Sequence, residues 1–348
     1  MKETFTLKSL SRRELLAGSA AAGAVVVLRG EPAAATGGRK TFTILHTNDL
    51  HSNLIGMAPA SDYSPFTLNE DATRGGFARL ATLIAKQKEA RSSQGPVLIL
   101  DAGDYSMGTA FAGATRETGA ELQLLSRMGC DVTTFGNHDF DLGPDGTAKS
   151  IAAAVNAGRT PAVVASNTDF SANDATLAGL QGLGKDGSVR RYFVIERGGI
   201  RFGIFGLLGK EAQLYTDGAG AVKFSDPIES AREMVKILRE TEKADVIIAL
   251  SHGGMEKGKD GLFTDGDDVR LPKAVPGIDV VIGAHSHTEL HKAIIVNDRT
   301  PVVHCRRPDH HRRDRQVQED GHRGRVRVPR LQYRSAAGDG ASEHFQHF

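Results

Sequence analysis

From about Lys40 onward, short apolar runs alternate with amphipathic stretches. The runs at 41–46, 97–101, 132–135, 162–165, 202–205, 246–250 and 280–282 read as buried strands. Between them the period changes. Phe77, Leu80, Leu83 and Ile84 recur at helical spacing within 75–91, and Ile228, Ala231, Met234, Val235 and Leu238 do so further on. That second helix has its own start signal: Asp226 as capping acceptor, Pro227 at the first helical position and Glu229 at the third. Such alternation predicts an α/β fold, a mixed or mostly parallel sheet covered by helices. Ligands of such sheets gather beyond the carboxyl ends of the strands. Segments 55–73 and 253–268, rich in Pro, Ser and Asp or in Gly, Lys and Asp, read as loops, the first rimming the site.

The chain of 348 residues suits one large α/β domain or two small ones. Its net charge of +1 calls for no polyanionic partner, so nucleic acid is not expected to be one. Cys130 and Cys305 set no disulfide framework, and Cys130 is expected to serve as a small buried hydrophobe. The N-terminus reads as an address. Arg12 and Arg13 precede a weakly apolar run at 15–28, and Pro32 to Ala35 offer a cleavage site, so residues 1–35 resemble a twin-arginine export signal. The run is too short and too rich in Gly and Ala for a stable membrane anchor. The expected setting is a bacterial periplasm or the cell exterior, with the twin-arginine export machinery as a partner.

At the other end the character changes. Residues 305–334 hold ten Arg and no Lys, and Leu331 is the only Leu, Ile, Met or Phe between Cys305 and Arg334. Such a stretch buries too little apolar surface to offset its ordering entropy, so 305–348 is expected to be disordered. An abrupt shift to Arg, His, Gln and Pro is also what a GC-rich gene yields in the wrong reading frame, and a frame-shifted tail is the expectation here. A basic arm and a plain solvated tail are the alternatives.

Five fragments carry the chemistry: Asp49 and His51; Asp104; Asn137, His138 and Asp139; His252; and His285 with His287. Each closes or follows an apolar run, and each supplies only the O and N ligands that hard or borderline divalent metals take. In an extended segment residues two apart point the same way, so Asp49 with His51, and His285 with His287, can each grip a cation. Asp104, flanked by Gly103, could bridge two cations about 3.5–4 Å apart. Turn aspartates and satisfied histidines explain any one residue but not the shared order and placement. His46 and His291 are read as satisfied near-surface histidines and left out.

These fragments resemble the calcineurin-like metallophosphoesterases. The stretch from Ile44 through His46, Asn48 and Asp49 to His51, with the run from Gly136 to Asp141, resembles more closely the periplasmic 5′-nucleotidase / UDP-sugar hydrolase branch. The resemblance implies a four-layer α/β/β/α sandwich over 40–304. It implies that Asp49, His51, Asp104 and His287 hold one divalent ion, and Asp104, Asn137, His252 and His285 another. The ligand mix accepts Zn, Mn, Fe or Co. Where the branch usually has glycine in its last motif, this chain has Ala284. The activity expected is hydrolysis of a small phosphate monoester, 5′-nucleotidase-like, by water that the cation pair activates. His138 would steady the phosphoryl group or protonate the leaving oxygen, and Asp141 would hold it protonated. Arg74, Gly75, Gly76 and Arg79 open the first helix, where Arg74 could meet the substrate anion. The branch also carries a C-terminal domain whose aromatic residues stack on the nucleobase. Nothing in this chain matches it, so weak nucleotide preference is expected. The alternatives are a cyclic phosphodiesterase, UDP-sugar hydrolase or thiohydrolase on the same scaffold, or a truncated metal-binding product without turnover.

Overall fold

The computed structural model describes residues 26–28, 39–56, 74–259, 261–290, 292–305 and 332–334. The export-signal stretch, apart from 26–28, and the Arg-rich tail, apart from Cys305 and 332–334, fall outside them, as do most of the 55–73 loop and His291.

Two six-stranded sheets form the centre. The first runs in chain order: β1 (Val26–Leu28), β2 (Thr43–Thr47), β3 (Val97–Asp101), β4 (Val132–Thr134), β5 (Ala162–Val164) and β6 (Val189–Arg190). Its strands are parallel except for β1, which lies antiparallel along β2. The second is built from β7 (Tyr192–Arg197), β8 (Ile200–Leu208), β9 (Val246–His252), β10 (Val280–Gly283), β11 (Ile294–Val296) and β12 (Thr300–His304), in the spatial order β11-β12-β10-β9-β8-β7. Its four inner strands are parallel and both edge strands antiparallel.

Three apolar layers follow from strand alternation. Along β9, Val246, Ile248 and Leu250 point between the sheets, where they meet Ile44, Leu98 and Leu100 of the first sheet. Ile247 and Ala249 point outward, onto α5 (Pro227–Lys236) and α6 (Asp267–Ala274). The outer face of the first sheet packs against α1 (Phe77–Ser92), α2 (Ala120–Arg127), α3 (Gly143–Asn156) and α4 (Ala178–Lys185). The order is therefore α/β/β/α. A strand covered on both faces has no polar side, which is why the sequence shows continuous apolar runs. At α5 the cap is as expected: the Asp226 carboxylate accepts from the N–H groups of Ile228 and Glu229 at 2.9 and 3.1 Å, a contact worth about 1 kcal/mol.

Several local readings are corrected. The segment 253–268 is not a plain loop. Glu256–Lys257 pairs with Phe263–Asp265, Phe263 packs on the helix-side core, and α6 begins at Asp267. The strand expected at 202–205 extends over nine residues, to Leu208. Gly206 within it marks close sheet contact: a Cβ there would stand 2.2 Å from the Thr134 hydroxyl. His46 is not near the surface. It is wholly buried in β2 with Nδ1 3.3 Å from the Cys305 sulfur, and burial, reinforced by His304, pulls its pKa down to about 3. Cys130 is buried, and its thiol donates to the Val132 carbonyl at 3.3 Å.

Candidate metal centre

Every fragment singled out in the sequence lies at or just past the carboxyl end of a strand, and the two sheets bring those ends together. Asp49 and His51 follow β2, Asp104 follows β3, Asn137 and His138 follow β4, His252 ends β9, and His285 and His287 follow β10. Pairwise distances show the convergence. His51 Nε2 is 3.1 Å from His287 Nε2 and 3.5 Å from Asp104 Oδ2. His287 Nε2 is 3.6 Å from Asp49 Oδ1. On the other side, His252 Nε2 is 3.2 Å from Asp104 Oδ2 and 3.2 Å from Asn137 Oδ1, and His285 Nδ1 is 3.0 Å from Asn137 Oδ1. Asp104 Oδ2 thus borders an imidazole from each group.

The paired ligands do not meet by strand alternation. Asp49, His51, His285 and His287 have φ of 51°, 48°, 77° and 49°, in the left-handed region. The expectation of an extended segment was wrong, although the side chains converge as expected. Each strand breaks into a tight turn that aims both ligands inward. Such backbone is costly outside glycine and persists where its surroundings over-determine it. Here the turn is held by His51 N–H donating to the Asp104 carbonyl and Asp49 N–H to the Gly103 carbonyl, both at 2.9 Å. The bridge position is crowded too: a Cβ on Gly136 would lie 2.1 Å from Asp104 Oδ1.

Hydrogen bonding tests whether these groups suit cations. His252 Nδ1 faces the Ala102 carbonyl at 2.9 Å, so it must carry the proton. Asn137 Nδ2 donates to the Tyr215 carbonyl at 3.2 Å, which turns Oδ1 inward. A neutral His252 therefore points a bare lone pair at two acceptors, Asp104 Oδ2 and Asn137 Oδ1. Only a proton or a cation resolves that contact. Burial alone would lower the His252 pKa, but the Asp104 charge and hydrogen bond, with Asp49, push it up to about 10. Asp104 is held well below the carboxylate range; burial opposes this, and His252, His51 and His138 outweigh it. Burial and the His252 charge lower His285 to about 4, leaving it neutral. Among the described residues, the ligand atoms of Asp49, His51 and His287, and of Asp49, Asp104 and His252, fall within 4.8 Å of one another. An imidazole–carboxylate set with more lone pairs than protons fits divalent cations.

The sequence profile of calcineurin-like phosphoesterases matches residues 42–289. The chain belongs to that family. It is 30% identical to the trifunctional nucleotide phosphoesterase protein YfkN of Bacillus subtilis, a match covering 75% of this chain and 17% of that protein. It is 32% identical to the 5′-nucleotidase of Bos taurus over 72% of this chain and 38% of the other. The chain therefore spans well under half the length of these curated relatives. Among solved structures, a 5′-nucleotidase precursor from Thermus thermophilus superposes with a TM-score of 0.56 at 28% identity, covering 75% of this chain and 48% of that one.

In this chain, His138 Nδ1 lies 2.8 Å from Asp141 Oδ2 across a short 3-10 turn, and both side chains are partly exposed. The His138 ring sits 5.4 Å from that of His51. Arg74 is exposed just before α1, and Phe77 N–H donates to Leu54 O, which ties the helix start to the segment after His51. Arg79 is turned back on its own helix start, donating to the Gly75 carbonyl at 3.0 Å. Sequence reasoning noted Asp139 only as fitting the motif and missed its contacts. Its carboxylate accepts from the N–H groups of Asp104, Gly136 and Ser106 and from the Ser106 hydroxyl, at 2.7–3.0 Å. It knits the loop of the candidate bridging aspartate to the loop of Asn137. It also missed Asp268 and His304, a wholly buried pair 2.6 Å apart beneath the His252 and His285 loops.

Proposed function

We propose that the chain hydrolyses phosphate monoesters, nucleotide-like esters among them, at a centre of two divalent ions. The observation that carries this reading is the His252 lone pair, aimed at two acceptors with Asp104 between the imidazole groups. Asp49, His51, Asp104 and His287 would hold one ion, and Asp104, Asn137, His252 and His285 the other. Bound there, the ions would supply positive charge for the phosphoryl oxygens and a water acidic enough to attack phosphorus. The remaining steps fall to side chains. His138, its Nδ1–H held by Asp141, keeps Nε2 free to donate to the phosphoryl group or the departing oxygen. Asn137 is oriented by its bond to Tyr215, and Asp104 by the His138 N–H, which donates to Oδ1 at 2.9 Å and turns Oδ2 to the site. Arg74 is the candidate cation for a more distant substrate anion.

The reading extends to the setting. Residues 1–35 would route the protein through twin-arginine export to the periplasm, 40–304 with the buried Cys305 would form the catalytic domain, and the Arg-rich residues beyond would be a frame-shifted tail. No helix among the described residues is long and apolar enough to cross a membrane.

The decisive experiment uses protein loaded with Mn²⁺ and a panel of p-nitrophenyl phosphate, AMP, a UDP-sugar, a cyclic nucleotide and a thiosulfonate. Monoester turnover is expected. His138→Gln should lower kcat about 10²–10⁴-fold with both ions retained by elemental analysis. Metal loss in step with activity would make His138 a brace for the ligands, and monoesters left intact while another class turns over would overturn the assignment.

A further inference from the structure

Tyr215 and Leu214 are the most prominent apolar groups near the centre, 59% and 75% exposed. Their segment follows β8 on the side of the sheets where the ligands gather. The Tyr215 ring lies 5.9 Å from the His285 ring at 39°, and its carbonyl is the acceptor that orients Asn137. The aromatic ring is therefore attached, through one residue's main chain, to the metal-facing amide.

The segment is also fixed. Tyr215 N–H donates to the Ala212 carbonyl at 3.0 Å, and the buried Thr216 hydroxyl reaches the same carbonyl at 2.7 Å. Gly218 lies so close to the His138–Asp141 turn that a Cβ would stand 2.3 Å from the Phe140 carbonyl. Tyr215 is thus held between the turn bearing His138 and the loop bearing His285. A single exposed apolar side chain needs no explanation. An adjacent Leu-Tyr pair on pinned backbone, with Tyr215 contacting two candidate ligands, is a different case.

We propose that Tyr215, flanked by Leu214, is the platform on which the ester's leaving group lies, so that the site selects phosphate esters of flat, aromatic alcohols. The inference rests on the phosphoesterase reading and deepens it. The phosphoryl group would sit among the ligands, with its organic portion projecting outward past the exposed rim where His138 and Tyr215 stand. Stacking on an aromatic ring is sequence-tolerant and strong enough to change affinity by about tenfold. It would give the catalytic domain an aryl preference of its own.

The test separates binding from turnover. Full-length protein loaded with Mn²⁺ is titrated calorimetrically with 1-naphthylmethylphosphonate and with methylphosphonate, neither of which can be hydrolysed at the P–C bond. The naphthyl compound should bind about tenfold tighter, Tyr215→Phe should keep that preference, and Tyr215→Ala should erase it while leaving methylphosphonate binding within about twofold. Hydrolysis provides the second readout: Tyr215→Ala should raise KM for 1-naphthyl phosphate about tenfold more than it raises KM for glycerol phosphate. Equal losses on both ligands would mean that Tyr215 only braces Asn137, and no preference in the parent would mean that there is no platform; either overturns the proposal. A naphthyl preference lost in Tyr215→Ala without turnover of any ester would instead leave the platform standing and remove the phosphoesterase reading.

Discussion

Asp101, at the end of β3, shows what a single buried charge does near this centre. Its carboxylate accepts from the hydroxyls of Thr47 and Thr133 at 2.6 and 2.8 Å and from the Gly103 N–H at 3.1 Å. Burial outweighs these donors and, with Asp49 nearby, pushes the pKa up to about 6. Because the folded value lies above the unfolded one, the folded state binds more protons between about pH 4 and 6. The contribution to stability is therefore complete below pH 4 and is lost as pH rises through 6. Asp101→Asn should remove that slope. In urea titrations of metal-free protein, the variant should gain on the parent by roughly 3 kcal/mol between pH 4 and pH 7. A difference that stays flat with pH would show that Asp101 is already solvated or paired. Such a residue is silent in sequence, where an Asp closing a strand looks like any other turn aspartate. His138 and Asp141 were legible, because three residues apart on a tight turn is a spacing that local geometry alone makes productive.

Between elements, the Asp268–His304 pair has a comparable role. Asp268 sits in the first turn of α6 and His304 ends β12, and neither is exposed. Asp268 Oδ2 also accepts from the Gly254 N–H at 3.1 Å, and a Cβ on Gly283 would come within 2.4 Å of it. The loops carrying His252 and His285 therefore rest on one carboxylate. Asp268→Asn should weaken binding of the ion near His252 and His285 by about 10–100-fold, as supporting groups of metal ligands do. Co²⁺ titration followed by its visible absorption measures this. Unchanged affinity with a lowered melting temperature would reduce the pair to fold support. Sequence could not pair these two, since 36 residues and two strands, β10 and β11, separate them. The ligand turns failed for a related reason. Strand alternation was the only rule available for positions two apart, whereas contacts between the turns after β2 and β3 impose left-handed backbone.

At the scale of the molecule, the question is where the folded unit stops. Cys305 N–H donates to Asn48 Oδ1 at 3.1 Å, Asn48 Nδ2 donates back to the Cys305 carbonyl at 3.3 Å, and Cys305 is buried between the sheets. A chain ending at Val303 loses His304 and Cys305 and should melt about 10 °C below the full chain or fail to fold. Calorimetry on both would decide; equal melting would mean that these contacts contribute little. By itself the sequence determined the α/β class, the two named helices, the positions of most strands and which O- and N-bearing side chains gather beyond the strand ends. Those follow from short-range pattern: apolar runs covered on both faces, helical periods, and polar residues at strand ends. Only the tertiary structure decided that the strands divide into two facing sheets, that β9 and β10 bring their ends to those of β2, β3 and β4, and that Asp139, Asp268 and Tyr215 stand where they support or border the centre. Those facts are contacts between residues far apart in the chain, and a local pattern carries no record of which distant surface it will meet.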